Sequence, residues 1–90
     1  MEPIPPSCKG FTVYTKSGCP NCRNVKNLLK KENIEFTVID CDEYLLFEND
    51  TFLSFMNEII GNEEKRFFPL VFVDGLFLGG YIETQKYLQQ

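Results

Sequence analysis

Lys16-Ser17-Gly18-Cys19-Pro20-Asn21-Cys22 decides the reading of this chain, because it sets two thiols three positions apart where an apolar run gives way to a helical pattern. Ahead of it, Phe11-Thr12-Val13-Tyr14 has the β-branched and aromatic content of a short strand. Ser17 and Gly18 break that run, and from Pro20 onward Val25, Leu28 and Leu29 recur at helical spacing. Cys19 therefore falls just ahead of a helix and Cys22 in its first turn. Unpaired backbone N–H groups and the positive end of the helix dipole stabilise anionic sulfur there, and the thiolate is the nucleophilic form of cysteine. Lys16 adds a nearby positive charge. The chain has no histidine, so no imidazole can take the proton, and field effects of this kind must activate the thiol. Cys22 shares a helical face with Val25 and Leu29, which turns it toward the core. The spacing thus makes Cys19 the exposed attacker and Cys22 the shielded partner that attacks second.

Two other readings of the pair are half of a zinc site and an incidental pair of helix cysteines. Zinc needs a fourfold ligand set, and only Cys8 and Cys41 remain, with no second close pair and no histidine. No metal is expected, and a Cys-x-x-Cys at a strand-to-helix junction reads as a redox motif. Cys8, in a proline-bearing arm, and Cys41, after a predicted strand, lack a helix N-terminus to activate them and are read as free thiols without a catalytic task.

Ninety residues make one small domain, and a 43% hydrophobic fraction with nine phenylalanines gives it a packed core and excludes general disorder. No apolar run reaches the length of about eighteen residues that a membrane span needs. Met1-Glu2-Pro3-Ile4-Pro5-Pro6 lacks the basic flank and apolar stretch of a secretory signal, and the expected location is cytoplasmic, in a reducing compartment. The net charge of −4 hides an asymmetry: Lys9, Lys16, Arg23, Lys26, Lys30 and Lys31 stand against Glu2 alone in residues 1–31. Such a basic first helix either attracts anionic substrates or is an ordinary solvated face, screened within about 8–10 Å. An acidic chain without an extended basic stripe is not expected to bind nucleic acid.

The predicted elements follow in order. Residues 1–9 form a loosely held arm, and residues 10–90 a single domain. A strand covers 11–15 and a helix 20–32, opened by Pro20, whose missing N–H costs nothing at the first helical position. Glu35 to Asp40 is a second strand, so a parallel crossover follows. Asp42 to Asn49 reads as either a helical turn or a packed loop. A second helix is capped by Asp50, carries the stripe Phe52, Phe55, Met56 and Ile59, and stops at Gly61. Asn62 to Arg66 is a polar loop. Phe67 to Val73 and Leu76 to Leu78 are strands joined by Asp74-Gly75, a strong hairpin signal. Gly79-Gly80 precedes a last helix over 81–89.

This order, β-α-β-α-β-β-α, with a dithiol after the first strand, Pro69 opening the third and Gly79-Gly80 after the fourth, resembles a dithiol glutaredoxin of the thioredoxin-fold superfamily over residues 10–89. The resemblance implies an α/β domain with a four-stranded mixed sheet flanked by helices. It implies a glutathione-dependent thiol-disulfide oxidoreductase, with glutathione as co-substrate. Cys19 would attack a disulfide or a glutathionylated protein, and Cys22 or a second glutathione would resolve the mixed disulfide. Lys16 would favour the thiolate and a glutathione carboxylate, and Asn21 stands where the family usually has tyrosine. Pro69 would be cis, with the Phe68 backbone pairing with the cysteinyl part of glutathione as an added strand. Gly79 and Gly80 would turn N–H groups toward a glutathione carboxylate. The implied partners are glutathione and disulfide or glutathionylated proteins, ribonucleotide reductase among the candidates, acting on a monomer. Rival readings are a thioredoxin-like reductant fed by a thioredoxin reductase and an iron–sulfur cluster carrier, against which Pro20 counts. The chain departs from the family in Phe67 and Phe68 before the proline, and in Tyr81, Ile82 and Glu83 after the glycines, where a small residue and then an Asp are usual. These changes bear on glutathione affinity and leave the dithiol chemistry untouched.

Overall fold

A computed structural model describes residues 3–61 and 68–90. The chain runs β1 (Phe11–Thr15), α1 (Pro20–Lys31), β2 (Phe36–Asp40), α2 (Asp42–Phe47), α3 (Asn49–Ile60), β3 (Leu70–Val73), β4 (Leu76–Gly79) and α4 (Tyr81–Leu88). The sheet has the order β2-β1-β3-β4; β1 pairs parallel with β2 and antiparallel with β3, and β3 pairs antiparallel with β4. This is the thioredoxin fold, a mixed four-stranded sheet with helices packed on it.

Alternation along the two central strands sorts the core into two layers. Val13 and Val71 face Val25 and Leu29 of α1, with Tyr81 and Leu88 of α4 packed alongside. Their neighbours in sequence, Tyr14, Leu70 and Phe72, face the opposite way onto Tyr44 of α2 and Phe52 and Met56 of α3. The stripe predicted over residues 52–59 is therefore core. Asp74 and Gly75 both take positive φ, 52° and 84°, which a two-residue hairpin of this hand requires. No helix among the described residues is long and apolar enough to cross a membrane.

Several expectations change. The ambiguous stretch after β2 is helical as α2, whose Tyr44 is buried. Asp50 does not cap the next helix: α3 begins at Asn49 with Glu48 at the cap position, and Asp50 lies in the first turn, where a carboxylate still favours the helix dipole. β3 starts at Leu70, after the proline, so Phe68 and Pro69 belong to the loop ahead of it. Phe67 and the polar loop 62–66 lie outside the described residues.

Residues 3–9 of the arm, expected to be loosely held, are tied to β1 through Ile4 and Ser7. A buried phenol needs an acceptor, and the Tyr14 hydroxyl donates to the Ile4 carbonyl at 2.6 Å. Ser7 N–H donates to Thr12 Oγ1 at 3.0 Å, and Gly10 N–H to Asp74 Oδ1 at 2.6 Å.

Candidate active site

The two cysteines meet at the start of α1. Cys19 is the N-cap residue in extended conformation, and its Sγ accepts the Cys22 N–H at 3.2 Å, taking one of the donors that every helix start leaves without an intrahelical partner. Pro20 stands at the first helical position, as its fixed φ favours. Cys19 is partly exposed and Cys22 is 2% exposed, so the inward face expected for Cys22 is observed. Both are free thiols.

Opposite the dithiol lies the loop before β3. The Phe68–Pro69 peptide bond is cis, as the resemblance implies, and the Cys19 thiol donates to the Phe68 carbonyl at 3.5 Å. The Phe68 ring lies parallel to that of Phe52, 6.3 Å between centroids, and Phe52 in turn stacks on Tyr44 at 5.6 Å. The Lys16 ammonium caps this column, 5.6 Å from the Phe68 centroid, within the range of a cation–π contact. A groove of about 480 Å³ opens beside the loop, with Asn21, Phe68, Pro69, Gly79, Gly80 and Glu83 among its walls. Six of the eight residues singled out from the sequence therefore line this groove or the dithiol facing it through Phe68, counting Cys19, Asn21, Phe68, Pro69, Gly79 and Gly80. Cys22 lies behind Cys19, and Lys16 reaches the site through the Phe68 ring.

At the Gly79-Gly80 turn the geometry has an added feature. Gly80 N–H, expected to face a ligand carboxylate, donates to Glu83 Oε1 at 2.7 Å. Gly79 takes φ +138° and is buried. A Cβ there would stand 2.6 Å from Glu83 Cγ, so the close approach requires glycine.

Sequence reasoning missed the tether that holds the active loop. Ser17 donates through its N–H to Asp42 Oδ1 at 2.8 Å and through its hydroxyl to Asp42 Oδ2. These two bonds hold the Asp42 carboxyl below its ordinary range. The signal lies in the register: β1 and β2 run parallel with Thr15 opposite Asp40, and Cys41 N–H extends the ladder to Thr15 O at 2.8 Å, which sets residues 16–17 beside 41–42.

Burial pushes the Cys22 thiol from an ordinary 9.0 to about 11, with the hydrogen bond to Cys19 adding to the rise and the Lys16 main chain opposing it. Burial first, then the charges of Asp40 and Asp42, push Cys41 up to about 12. The folded state favours both neutral thiols, so this contribution to stability is complete below 9 and is lost as pH rises through those values. We expect the melting temperature of the reduced protein to fall on alkalinisation above about pH 9, and to fall less steeply in Cys41→Ala. Thermal scans across that range, showing the same slope in the variant and the wild type, would contradict this.

A half-exposed sulfur at the cap of the helix after the first strand, a buried second sulfur one turn on, and a cis-proline loop facing them define a dithiol protein of the thioredoxin fold. Residues 11–78 match the family model described as Glutaredoxin, and the chain belongs to that family. Among curated proteins it is similar to glutaredoxin 1 of Rickettsia bellii, 28% identical over 68 residues, which is 76% of this chain and 65% of that protein. The chain spans about half to two thirds of the length of the curated glutaredoxins it matches. Among solved structures, glutaredoxin 1 from Francisella tularensis, complexed with cacodylate, is 27% identical with a TM-score of 0.70 over 89% of this chain and 96% of that one. Buckwheat glutaredoxin in its glutathione complex, 22% identical, shares the fold with a TM-score of 0.72 over 89% of this chain and 68% of that one.

Proposed function

We propose that this chain is a glutathione-dependent thiol-disulfide oxidoreductase working through Cys19 and Cys22. The observation that carries the reading is the Cys22 N–H held on Cys19 Sγ at 3.2 Å, with Cys19 reachable and Cys22 buried behind it. A main-chain N–H on that sulfur gives the attacking group a fixed hydrogen-bond donor and holds it within reach of the thiol that resolves the mixed disulfide.

Cys19 sulfur attacks one sulfur of a substrate disulfide or of a glutathionylated protein; the old S–S bond breaks and the departing thiolate leaves with the electron pair. A second thiol then resolves the mixed disulfide: Cys22 by attacking Cys19 Sγ and expelling the substrate thiolate, or a glutathione by attacking the glutathionyl sulfur and expelling the Cys19 thiolate. When that thiol is Cys22, its proton passes to the departing thiolate, because burial disfavours a free Cys22 anion. Two glutathione molecules, oxidised to their disulfide, return the pair to the dithiol. Glutathione as reductant rests on family membership. The Phe68 main chain beside the cis Pro69 would pair with the cysteinyl unit of the ligand in the manner of an added strand, and Asn21 and the Gly79-Gly80 turn would form the far wall of its site. Lys16 seats its ammonium on the Phe68 ring at the edge of the site, 5.6 Å from the centroid.

The test is NADPH oxidation coupled through glutathione reductase with hydroxyethyl disulfide as substrate. Turnover should appear with that reductase and not with thioredoxin reductase, and the opposite pattern would reject glutathione as the electron source. In Cys22→Ser we expect deglutathionylation to persist within a few-fold while reduction of protein disulfides is lost, since only the second reaction needs an internal resolving thiol. Equal loss of both activities would overturn this division of labour.

A further inference from the structure

We propose, resting on the oxidoreductase reading above, that Asp42 is a positioning residue for the resolving step: through Ser17 and the Lys16 main chain it holds Cys22 ready to attack Cys19. The two sulfurs are held by different parts of the chain. Cys19 Sγ accepts the Cys22 N–H at 3.2 Å, a bond made within the first turn of α1. The main-chain donor on the Cys22 sulfur comes from outside that helix, from Lys16 in the loop after β1. Burial makes an anion on Cys22 costly, and the Lys16 main chain, followed by the charge of Lys26, opposes that cost.

The direction of the Lys16 N–H is set by residues 41–42. Cys41 N–H donates to Thr15 O at 2.8 Å, which pins the peptide group on one side of Lys16. Asp42 pins the other: its Oδ1 accepts the Ser17 N–H at 2.8 Å and its Oδ2 accepts the Ser17 hydroxyl. Because each peptide group is planar, fixing both leaves Lys16 little freedom to turn its N–H away from Cys22. Asp42 is itself anchored, its N–H donating to Asp40 Oδ1 at 2.9 Å. In the step concerned, Cys22 sulfur attacks Cys19 Sγ and the Cys19–Cys22 bond forms as the mixed disulfide breaks. The substrate thiolate departs with the electron pair and takes up the Cys22 proton. The Asp42 charge works in the opposite sense, since a carboxylate disfavours a second anion nearby, but at the surface solvent screens it while the two hydrogen bonds remain.

A chromogenic aromatic disulfide, dithiobis-nitrobenzoate, separates the two steps: one nitrothiophenolate leaves when Cys19 attacks and a second when Cys22 resolves. The reduced protein is kept in excess and carries Cys8→Ser, which removes an exposed free thiol. The first phase then depends on protein concentration and the second does not. In Asp42→Ala the second phase should slow by about three- to tenfold and the first by less than about twofold, a modest effect for a hydrogen-bonded site because the Thr15 carbonyl still pins one side of Lys16. Asp42→Asn, which keeps an acceptor for the Ser17 N–H, should recover most of the rate. Ser17→Ala, which loses only the hydroxyl bond, should fall between, and it reads the tether even where Asp42→Ala does not fold. Equal slowing of both phases makes Asp42 a general structural residue and overturns the proposal. A second phase that is unchanged or faster in the folded variants overturns it as well, the faster case because charge then outweighs position. A wild type that releases a single nitrothiophenolate never closes its dithiol, which overturns the oxidoreductase reading and this inference with it, so the two failures are distinguishable.

Discussion

Cys19→Ser loses glutathione-coupled turnover by a factor on the order of 10³ or more. The substitution keeps the geometry: a Ser hydroxyl at this N-cap still accepts the Cys22 N–H and still donates toward the Phe68 carbonyl, the two bonds that hold the Cys19 side chain. It removes the chemistry, because an alcohol oxygen forms no disulfide and ionises far less readily than a thiol. The variant should therefore unfold within about 1 kcal/mol of the wild type while its activity is gone. Coupled NADPH oxidation beside a denaturant melt separates these quantities. Wild-type turnover in a folded Cys19→Ser would remove the basis for the proposed function.

Phe52→Ala should cost about 3–5 kcal/mol, the range for deleting a large aromatic side chain from a packed core. Phe52 is 1% exposed and its ring lies between those of Tyr44 and Phe68. Deletion opens a cavity and breaks two stacked contacts, each worth about 0.5–1.5 kcal/mol beyond area burial. A small domain has only about 5–15 kcal/mol in total, so a large share of its stability goes. The urea midpoint should drop with an unchanged slope, whereas Phe52→Leu, which refills much of the space, should lose far less. The effect also reaches the site: Phe68, released from Phe52, is the residue whose carbonyl faces Cys19 and whose ring seats Lys16. A midpoint for Phe52→Ala within error of the wild type would contradict the column described here.

The parts of this architecture legible in the sequence are those written in short range. Ser17 and Gly18 end one pattern and Pro20 opens another, so β1, α1 and the dithiol between them fall where expected. Asp74-Gly75 marks its hairpin for the same local reason. α2 is only six residues long, too short for helical periodicity to distinguish it from a packed loop. The bond from Tyr14 to Ile4 depends on which way the first strand faces, and the Ser17–Asp42 tether spans a separation of 25 residues fixed by parallel register. The stacking of Phe68 on Phe52 was hidden for a related reason: a doubled phenylalanine before a proline announces bulk, but only the folded chain shows that the bulk is directed onto α3 and under Lys16. Glu83 read as a misplaced ligand group, and its bond to Gly80 emerges only once α4 is known to begin at Tyr81.

The donor on the nucleophilic sulfur is an amide of the main chain. Any residue other than proline at position 22 carries the same N–H, so exchanging that side chain removes a thiol and leaves the polarisation of its neighbour in place. Asn21, exposed between the two sulfurs, can likewise be altered without touching that amide. The hydrogen bond on Cys19 and the side chains that follow it are thus separable within one helical turn, and the side chains can be exchanged while that bond stays fixed.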